Sequence, residues 1–383
     1  MNVYFDHNAT TPLDERVLTA MLPHLRDQFG NAASRHAPGR SARAAIDTAR
    51  EQVAALVGAH PGQVVFTAGG TEADNMALKG LSACRRGRLL YSAIEHPAVL
   101  ETAEAMDVPS ATIAVDGQGR VDLADLDRQL GTGDVAVVAV MVANNETGAI
   151  QPVAEVSDRV RAAGALLHVD GVQGAGKLAM RYADTGAHTL AISSHKIYGP
   201  KGVGALVLDK RVDIRPLLHG GGHEGGLRGG TENTAAIVGF GAAAELAKAE
   251  RASRHEHTAG LRDRLQAGLA AALPEAVIFA AEAERLPNTL QFAVPGFEGE
   301  SLLMALDQFG FAVSSGSACA SGSGEPSHVL LAMGVDPVVA RGAIRVSLGK
   351  DNTADEIDRF LAVLPQVARS QSMPGLNPAV MGA

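Results

Sequence analysis

Two residues near the middle of the chain, Asp170 and Lys196, could do chemistry together. A short apolar strand, ALLHVD (165–170), delivers Asp170 at its carboxyl end, and TLAISS (189–194) delivers His195 and Lys196 into a Gly/Pro-rich turn. Ligands of open α/β sheets bind at the carboxyl ends of strands, so both groups face one crevice. A buried amine and a buried carboxylate in one crevice suit pyridoxal phosphate (PLP): the amine for a Schiff base, the acid for the pyridinium nitrogen. Either residue alone is more simply ordinary, Asp170 capping a turn and Lys196 a solvated loop lysine. Their pairing, with Ser193 and His195 flanking the lysine, favours the chemical reading.

Further groups gather on the same rim. TAGGTEADN follows the first clear strand and opens a helix at Thr71, where glycines permit close backbone approach and free N–H groups meet a phosphate. Its spacing fits neither a dinucleotide fingerprint nor a Walker loop. Gly70, Thr71, Ser193 and His195 would form a cup for one phosphate monoester. In EHPAVL, His96 stands just past a strand end, either stacking on a pyridine ring and moving protons or capping the helix that starts at 97. Asn145 in NNETG could hydrogen-bond the cofactor ring or a substrate, although such a loop is often merely a turn, and Gln173 in DGVQGAGK lies near enough to Asp170 to contact the cofactor's phenolic oxygen. Arg345, on the strand AIRVSLG, suits a bidentate grip on a substrate carboxylate, although strand arginines are common on surfaces. A second reactive feature is SSGSACASGSGEPS (314–327), where small flexible residues surround Cys319. A structural cysteine usually sits among apolar neighbours, whereas a thiolate on a mobile arm can collect a group in a pocket and present it outside. Cys84, in LSACRRGR, reads as incidental.

Positioning these groups requires a sheet. The segment VYFDHNATTPLDERVLTAML predicts a short extended piece and then a helix, with Thr11 as its N-cap and Pro12 in the first turn. A second helix, RSARAAIDTAREQVAALVG, stops at Gly58. Strands at 63–67, 89–93, 111–115 and 134–143 then alternate with helices at 71–81, 97–106, 122–130 and from about 152. Nearly all-apolar strands imply helices on both faces, hence a mostly parallel doubly wound α/β sheet. From residue 231 the pattern reads as helix for about forty residues, with Ser253 a candidate kink. Strands NTLQFAV and AIRVSL with helices at 299–308, 326–333 and 354–364 then make a smaller α+β unit. The expected division is a large domain over 12–255, a small one from 1–11 and 256–370 carrying the cysteine loop, and a mobile tail at 371–383.

Composition narrows the partners. A 383-residue chain with 46% apolar and 20% charged residues is an ordinary globular enzyme, and its net charge of −9 argues against nucleic acid or an anionic membrane. No apolar run reaches bilayer length, and MNVYFDHNATTP lacks the pattern of a signal peptide. Two cysteines are too few for a disulfide framework or an all-cysteine metal site, so the chain reads as cytoplasmic, with no metal ligand set.

Taken together, the motifs resemble the cysteine desulfurases of the NifS/IscS type, in the class V aminotransferase family of fold-type I PLP enzymes. FDHNATTP, FGNAASRH, GGTEADN, EHPAVL, ANNETG, HVDGVQGAGK, SSHKIYGPKGVGAL, GGGHEGGLRGGTEN, SSGSACASGSGEPSHVL and IRVSLG run in the family's order from residue 5 to about 349. The resemblance implies that Lys196 carries the Schiff base, Asp170 pairs with the ring nitrogen, Gln173 bonds the phenolate and His96 stacks on the ring. Thr71, Ser193 and His195 would hold the phosphate, joined by Thr231 of a second subunit in an obligate homodimer. Asn145 and Arg345, with Asn8 nearby, would grip the carboxylate of L-cysteine. Cys319 would accept sulfur as a persulfide, releasing L-alanine, for delivery to an iron–sulfur scaffold or another acceptor protein. His7, Gly171, and His223 with Gly225 depart from the family's usual residues. Selenocysteine lyase or another fold-type I aminotransferase is the alternative, and a non-catalytic sulfur-transfer scaffold a further one.

Overall fold

The computed structural model describes residues 2–315 and 325–371. A two-residue strand, β1 (Val3–Tyr4), leads to a helix at Glu15–Arg26. Its cap is Asp14, whose carboxylate accepts from the Arg16 N–H at 3.0 Å, and not Thr11 as the sequence implied. Thr11 is engaged elsewhere: its backbone N–H and hydroxyl both donate to the His195 carbonyl, at 3.0 and 2.9 Å.

Seven strands build the large sheet: β2 (Val64–Thr67), β3 (Arg88–Ser92), β4 (Ser110–Ile113), β5 (Val135–Met141), β6 (Leu166–Asp170), β7 (Thr189–Ser193) and β8 (Gly204–Leu208). Their order is β2-β8-β7-β6-β5-β3-β4. From β4 to β7 neighbours run parallel, while β8 is antiparallel to both β7 and β2. The sequence reading passed over β8. Only residues 194–203 separate it from β7, fewer than a parallel crossover needs, so the strand returns antiparallel. Successive residues face opposite layers. Leu89 and Val137 pack with Met76, Leu78 and Leu81 of the helix Gly70–Cys84. Leu90 and Val138 pack with Ile46, Val53 and Phe240 on the other side.

The remaining strands are β9 (Val277–Ile278), β10 (Thr289–Ala293), β11 (Phe311–Ala312), β12 (Ser314–Ser315) and β13 (Ala343–Ser347). An antiparallel sheet takes the order β12-β13-β10-β9, and β11 pairs in parallel with β1. Phe5, Leu265, Leu290, Phe292, Phe311 and Phe360 form a separate apolar cluster there. Burying each such side chain stabilises the fold by about 1.5–3 kcal/mol. The helix Thr234–Ala272 is 39 residues long and runs unbroken through Ser253. Phe240, Ala243 and Ala247 lie in the first core, and Leu261, Leu265 and Leu269 in the second. Among the described residues no helix is long and apolar enough to cross a membrane.

Candidate active site

The carboxyl ends of β5, β6 and β7 open into a cleft of about 930 Å³, mouth included. Its lining contains Asn8, Gly70, Thr71, His96, Asn145, Asp170, Gln173, Ser193, His195, Lys196 and Arg345. Of the sequence-derived site residues, two are not among them. Thr231 is exposed, just ahead of the helix Thr234–Ala272. Cys319 lies outside the described residues.

Lys196 closes a 3₁₀ turn, Ser194–Lys196, directly after β7. Its Nζ donates to the carbonyls of Asn8 and Ala9 at 2.6 and 2.7 Å. The segment around Thr11 clasps this turn from behind. Besides the two bonds to His195, the Tyr198 N–H donates to Thr11 Oγ1 at 2.8 Å and the Asp14 N–H to the Tyr198 carbonyl at 3.0 Å. Tyr198 takes a left-handed φ of 68°, a conformation that costs a non-glycine residue about 1 kcal/mol or more unless its neighbours enforce it.

Asp170 ends β6, where its Oδ1 accepts from the Val172 N–H at 2.8 Å. Burial, reinforced by the Asp74 carboxylate, pushes Asp170 up to about 7. Asp74 is itself pushed up to about 8 by burial, and His168, 3.1 Å away, down to about 4. Low dielectric thus favours uncharged groups, and a cationic donor in the cleft would return Asp170 to the carboxylate form. His96 combines a helix cap with a place in the cleft wall. Its Nδ1 caps the helix Pro97–Glu104 by accepting from the Ala98 N–H at 3.1 Å, and its ring lines the cleft. The neutral ring therefore carries its proton on Nε2. Burial, with Lys196 and His328 nearby, holds His96 at about 4.

At one end of the cleft the groups are donors. Among the described residues the helix Gly70–Cys84 has no side-chain cap, and the buried Ser193 hydroxyl has no hydrogen-bond partner. At Gly69 nothing stands within 4 Å of where a Cβ would point. Thr10, Asn75 and Lys201 join Thr71, Ser193 and His195 around an adjoining opening. Uncapped N–H groups, free hydroxyls and an imidazole fit a phosphate monoester. With the Lys196 amine and the Asp170 carboxyl beyond them, the set fits pyridoxal phosphate.

Arg345 occupies the other end, only 2% exposed. Its Nη2 donates to Asp6 Oδ1 at 2.7 Å and its Nη1 to the Asn145 carbonyl at 3.1 Å, while the buried Nε has no partner among the described residues. The Asn145 side chain makes no hydrogen bond among the described residues, leaving it for a ligand. Asn8 differs. Its Nδ2 donates to the Asn145 carbonyl and Thr289 Oγ1, at 3.0 and 2.8 Å, so both amide hydrogens are engaged in scaffolding. Asp6, Asp74 and Lys177 escaped the sequence reading. The one local signal was the four-residue spacing of Lys177 from Gln173, one helical turn.

The three departures have structural accounts. His7 lies outside this cleft, buried between Tyr4 and Tyr198 against Gly349, where a Cβ would overlap its ring. At Gly171 a Cβ would lie 2.6 Å from Leu190 Cδ1, so neighbouring side chains fill that space. Beside His223 and Gly225, Glu224 adopts a φ of 51° and receives both Arg50 guanidinium nitrogens at 2.7 Å and the Phe66 N–H at 2.8 Å. The residues flanking 316–324 are also fastened near the cleft. Ser314 of β12 is paired with Arg345, Ser327 Oγ donates to Glu146 Oε2 at 2.5 Å, and His328 Nε2 meets the Glu95 carbonyl at 2.9 Å.

The profile of the family described as "Aminotransferase class-V" matches residues 3–360. A cysteine desulfurase of Trichormus azollae is 43% identical over 381 residues, 98% of this chain and 94% of that one. Among solved structures, a NifS-like protein superposes with a TM-score of 0.90 at 39% identity, covering 97% of this chain and 100% of its own. SspA in complex with cysteine gives 0.79 at 30% identity, covering 92% and 100%. The chain belongs to the class-V aminotransferase family and, within it, to the NifS/IscS type.

Proposed function

We propose that this protein is a PLP-dependent cysteine desulfurase that takes sulfur from L-cysteine, releases L-alanine and leaves a persulfide on Cys319. The observation that carries the reading is one cleft holding the Lys196 amine, the Asp170 carboxyl and the Arg345 guanidinium, with the strand leading to residue 319 paired to Arg345. Kinship with cysteine desulfurases, and with a relative solved with cysteine, supports it.

When bound, PLP supplies an electron sink for the substrate's Cα. Lys196 would hold the cofactor, and its amine is placed to take up and return the proton at the substrate's Cα. Asp170 holds the proton on the ring nitrogen, and Gln173 donates to the phenolic oxygen. Gly70, Thr71, Ser193 and His195 hold the phosphate, with Thr231 reaching in from a second copy of the chain. Arg345 and Asn145 orient the substrate carboxylate. Cys319 Sγ bonds to the substrate sulfur as the Cβ–S bond breaks, and the electron pair stays on the carbon fragment that becomes alanine. His96, neutral and with Nδ1 engaged, serves as a flat surface and an N–H donor. The separate apolar clusters support a large domain over 12–255 and a small one from 1–11 and 256–370. Delivery of sulfur to an iron–sulfur scaffold or another acceptor in the cytoplasm, by a homodimer, completes the reading.

Incubating the PLP-loaded protein with L-cysteine, while assaying alanine and mapping persulfide by mass spectrometry, tests it. The expected result is stoichiometric alanine with one added sulfur on Cys319, lost in Cys319→Ser. Alanine without that mark overturns the sulfur-acceptor role. Full sulfide release by C319S points to a lyase, and failure to bind PLP to a scaffold.

A further inference from the structure

Lys177 has no part in the chemistry above, yet its amine turns inward to the point where two amide side chains meet. Nζ donates to Asn8 Oδ1 and to Gln173 Oε1, both at 2.7 Å. Gln173 Nε2 donates to the Asn8 carbonyl at 3.0 Å, the same oxygen that receives Lys196 Nζ. A carboxamide has oxygen and nitrogen ends of nearly equal shape, so its neighbours decide which end faces which way. Here one neighbour is an amine, which offers hydrogens, and the other a carbonyl, which accepts them. Only one orientation of Gln173 satisfies both.

We propose that Lys177 is a positioning residue: its amine holds the oxygen end of Gln173, leaving the nitrogen end to donate toward the phenolic oxygen of bound PLP. This rests on the PLP reading above and deepens it.

The charges around Lys177 fit such a role. Among the described residues no carboxylate forms an ion pair with it. Lys196, Arg345, Arg254, Lys350, His7 and His255 surround it across this cleft and the cavity behind it. Burial and the Lys196 and Arg345 cations hold the amine well below the usual lysine range. Each of the two oxygens that it meets takes one of its hydrogens.

The test compares wild type, Lys177→Met, Gln173→Leu and the double variant as PLP-loaded proteins, following the pH midpoint of the cofactor's visible absorbance. A donor on the phenolic oxygen favours its anionic form and makes the coupled nitrogen less basic, so loss of the donor moves the midpoint up. K177M is expected to raise it by about 1–2 pH units, the size of one hydrogen bond to a charged group. Q173L should raise it similarly, and the double variant no further than Q173L. An unmoved midpoint in K177M or Q173L, or a full K177M shift on the Q173L background, overturns the proposal. A second readout needs no cofactor: NMR exchange of the Gln173 side-chain amide protons, assigned by their loss in Q173L. Exchange should quicken at least about tenfold in K177M, and unchanged exchange refutes the orientation even if PLP never binds.

Discussion

Replacing Arg345 with lysine keeps the positive charge and removes the fork. In the folded chain the guanidinium already holds Asp6 through Nη2 and the Asn145 carbonyl through Nη1, and its buried Nε has no partner among the described residues, which leaves it for a ligand. A lysine has one nitrogen on a flexible stem, so it must divide between Asp6 and the incoming carboxylate. Losing one charge-assisted hydrogen bond costs about 1.5–3 kcal/mol, or about 10- to 150-fold in kcat/KM for L-cysteine. The sharper assay is spectral titration of the PLP-loaded variant with L-cysteine and with cysteamine, which lacks the carboxylate. R345K should weaken L-cysteine by that factor and leave cysteamine within about twofold. Equal weakening of both would mean that Arg345 only shapes the fold, and no change in either would remove it from substrate binding.

Two further expectations concern stability. Glu95 is fully buried, with Oε1 bonded to Ser92 Oγ and the Met141 N–H and Oε2 unpartnered, and burial pushes it up to about 8. Its folded value exceeds the unfolded one of about 4.3, so the stability it lends is complete below about pH 4 and lost as pH rises through 8. Glu95→Gln cannot ionise. Relative to wild type it should therefore gain about 3 kcal/mol between pH 5 and pH 7.5, measured by urea unfolding of the cofactor-free protein. A pH-independent difference would refute the buried, protonated carboxyl. Gly171→Ala places a Cβ 2.6 Å from Leu190 Cδ1 and 3.3 Å from Met180 Cε, an overpacking that should cost about 1–3 kcal/mol. An unchanged melting temperature would show that the neighbours yield freely.

Much of the site was legible because its residues end strands. The runs LLHVD and TLAIS are apolar enough to be buried on both faces, and chain order alone puts Asp170 and Lys196 just past them on one rim. Gly70 and Thr71 at a helix start, and His96 before Pro97, are equally local. Where two local readings competed, folding decided. Thr11 and Asp14 are both competent caps, and the His195 carbonyl took Thr11 out of the competition. His96 turned out to be a helix cap and part of the cleft wall together.

What the sequence by itself determined is the set of reactive groups and the sheet that presents them, since apolar periodicity and turn residues act over a few neighbouring positions. Tertiary structure alone decided the polar partnerships. Asp6 meets Arg345 across 339 positions, Lys177 meets Asn8 across 169, and Asp74 meets His168 across 94. Those bonds form only after water has been expelled from between distant segments. Burial then also sets the charge of each group, holding His96 and His168 at about 4 and raising Asp74 to about 8.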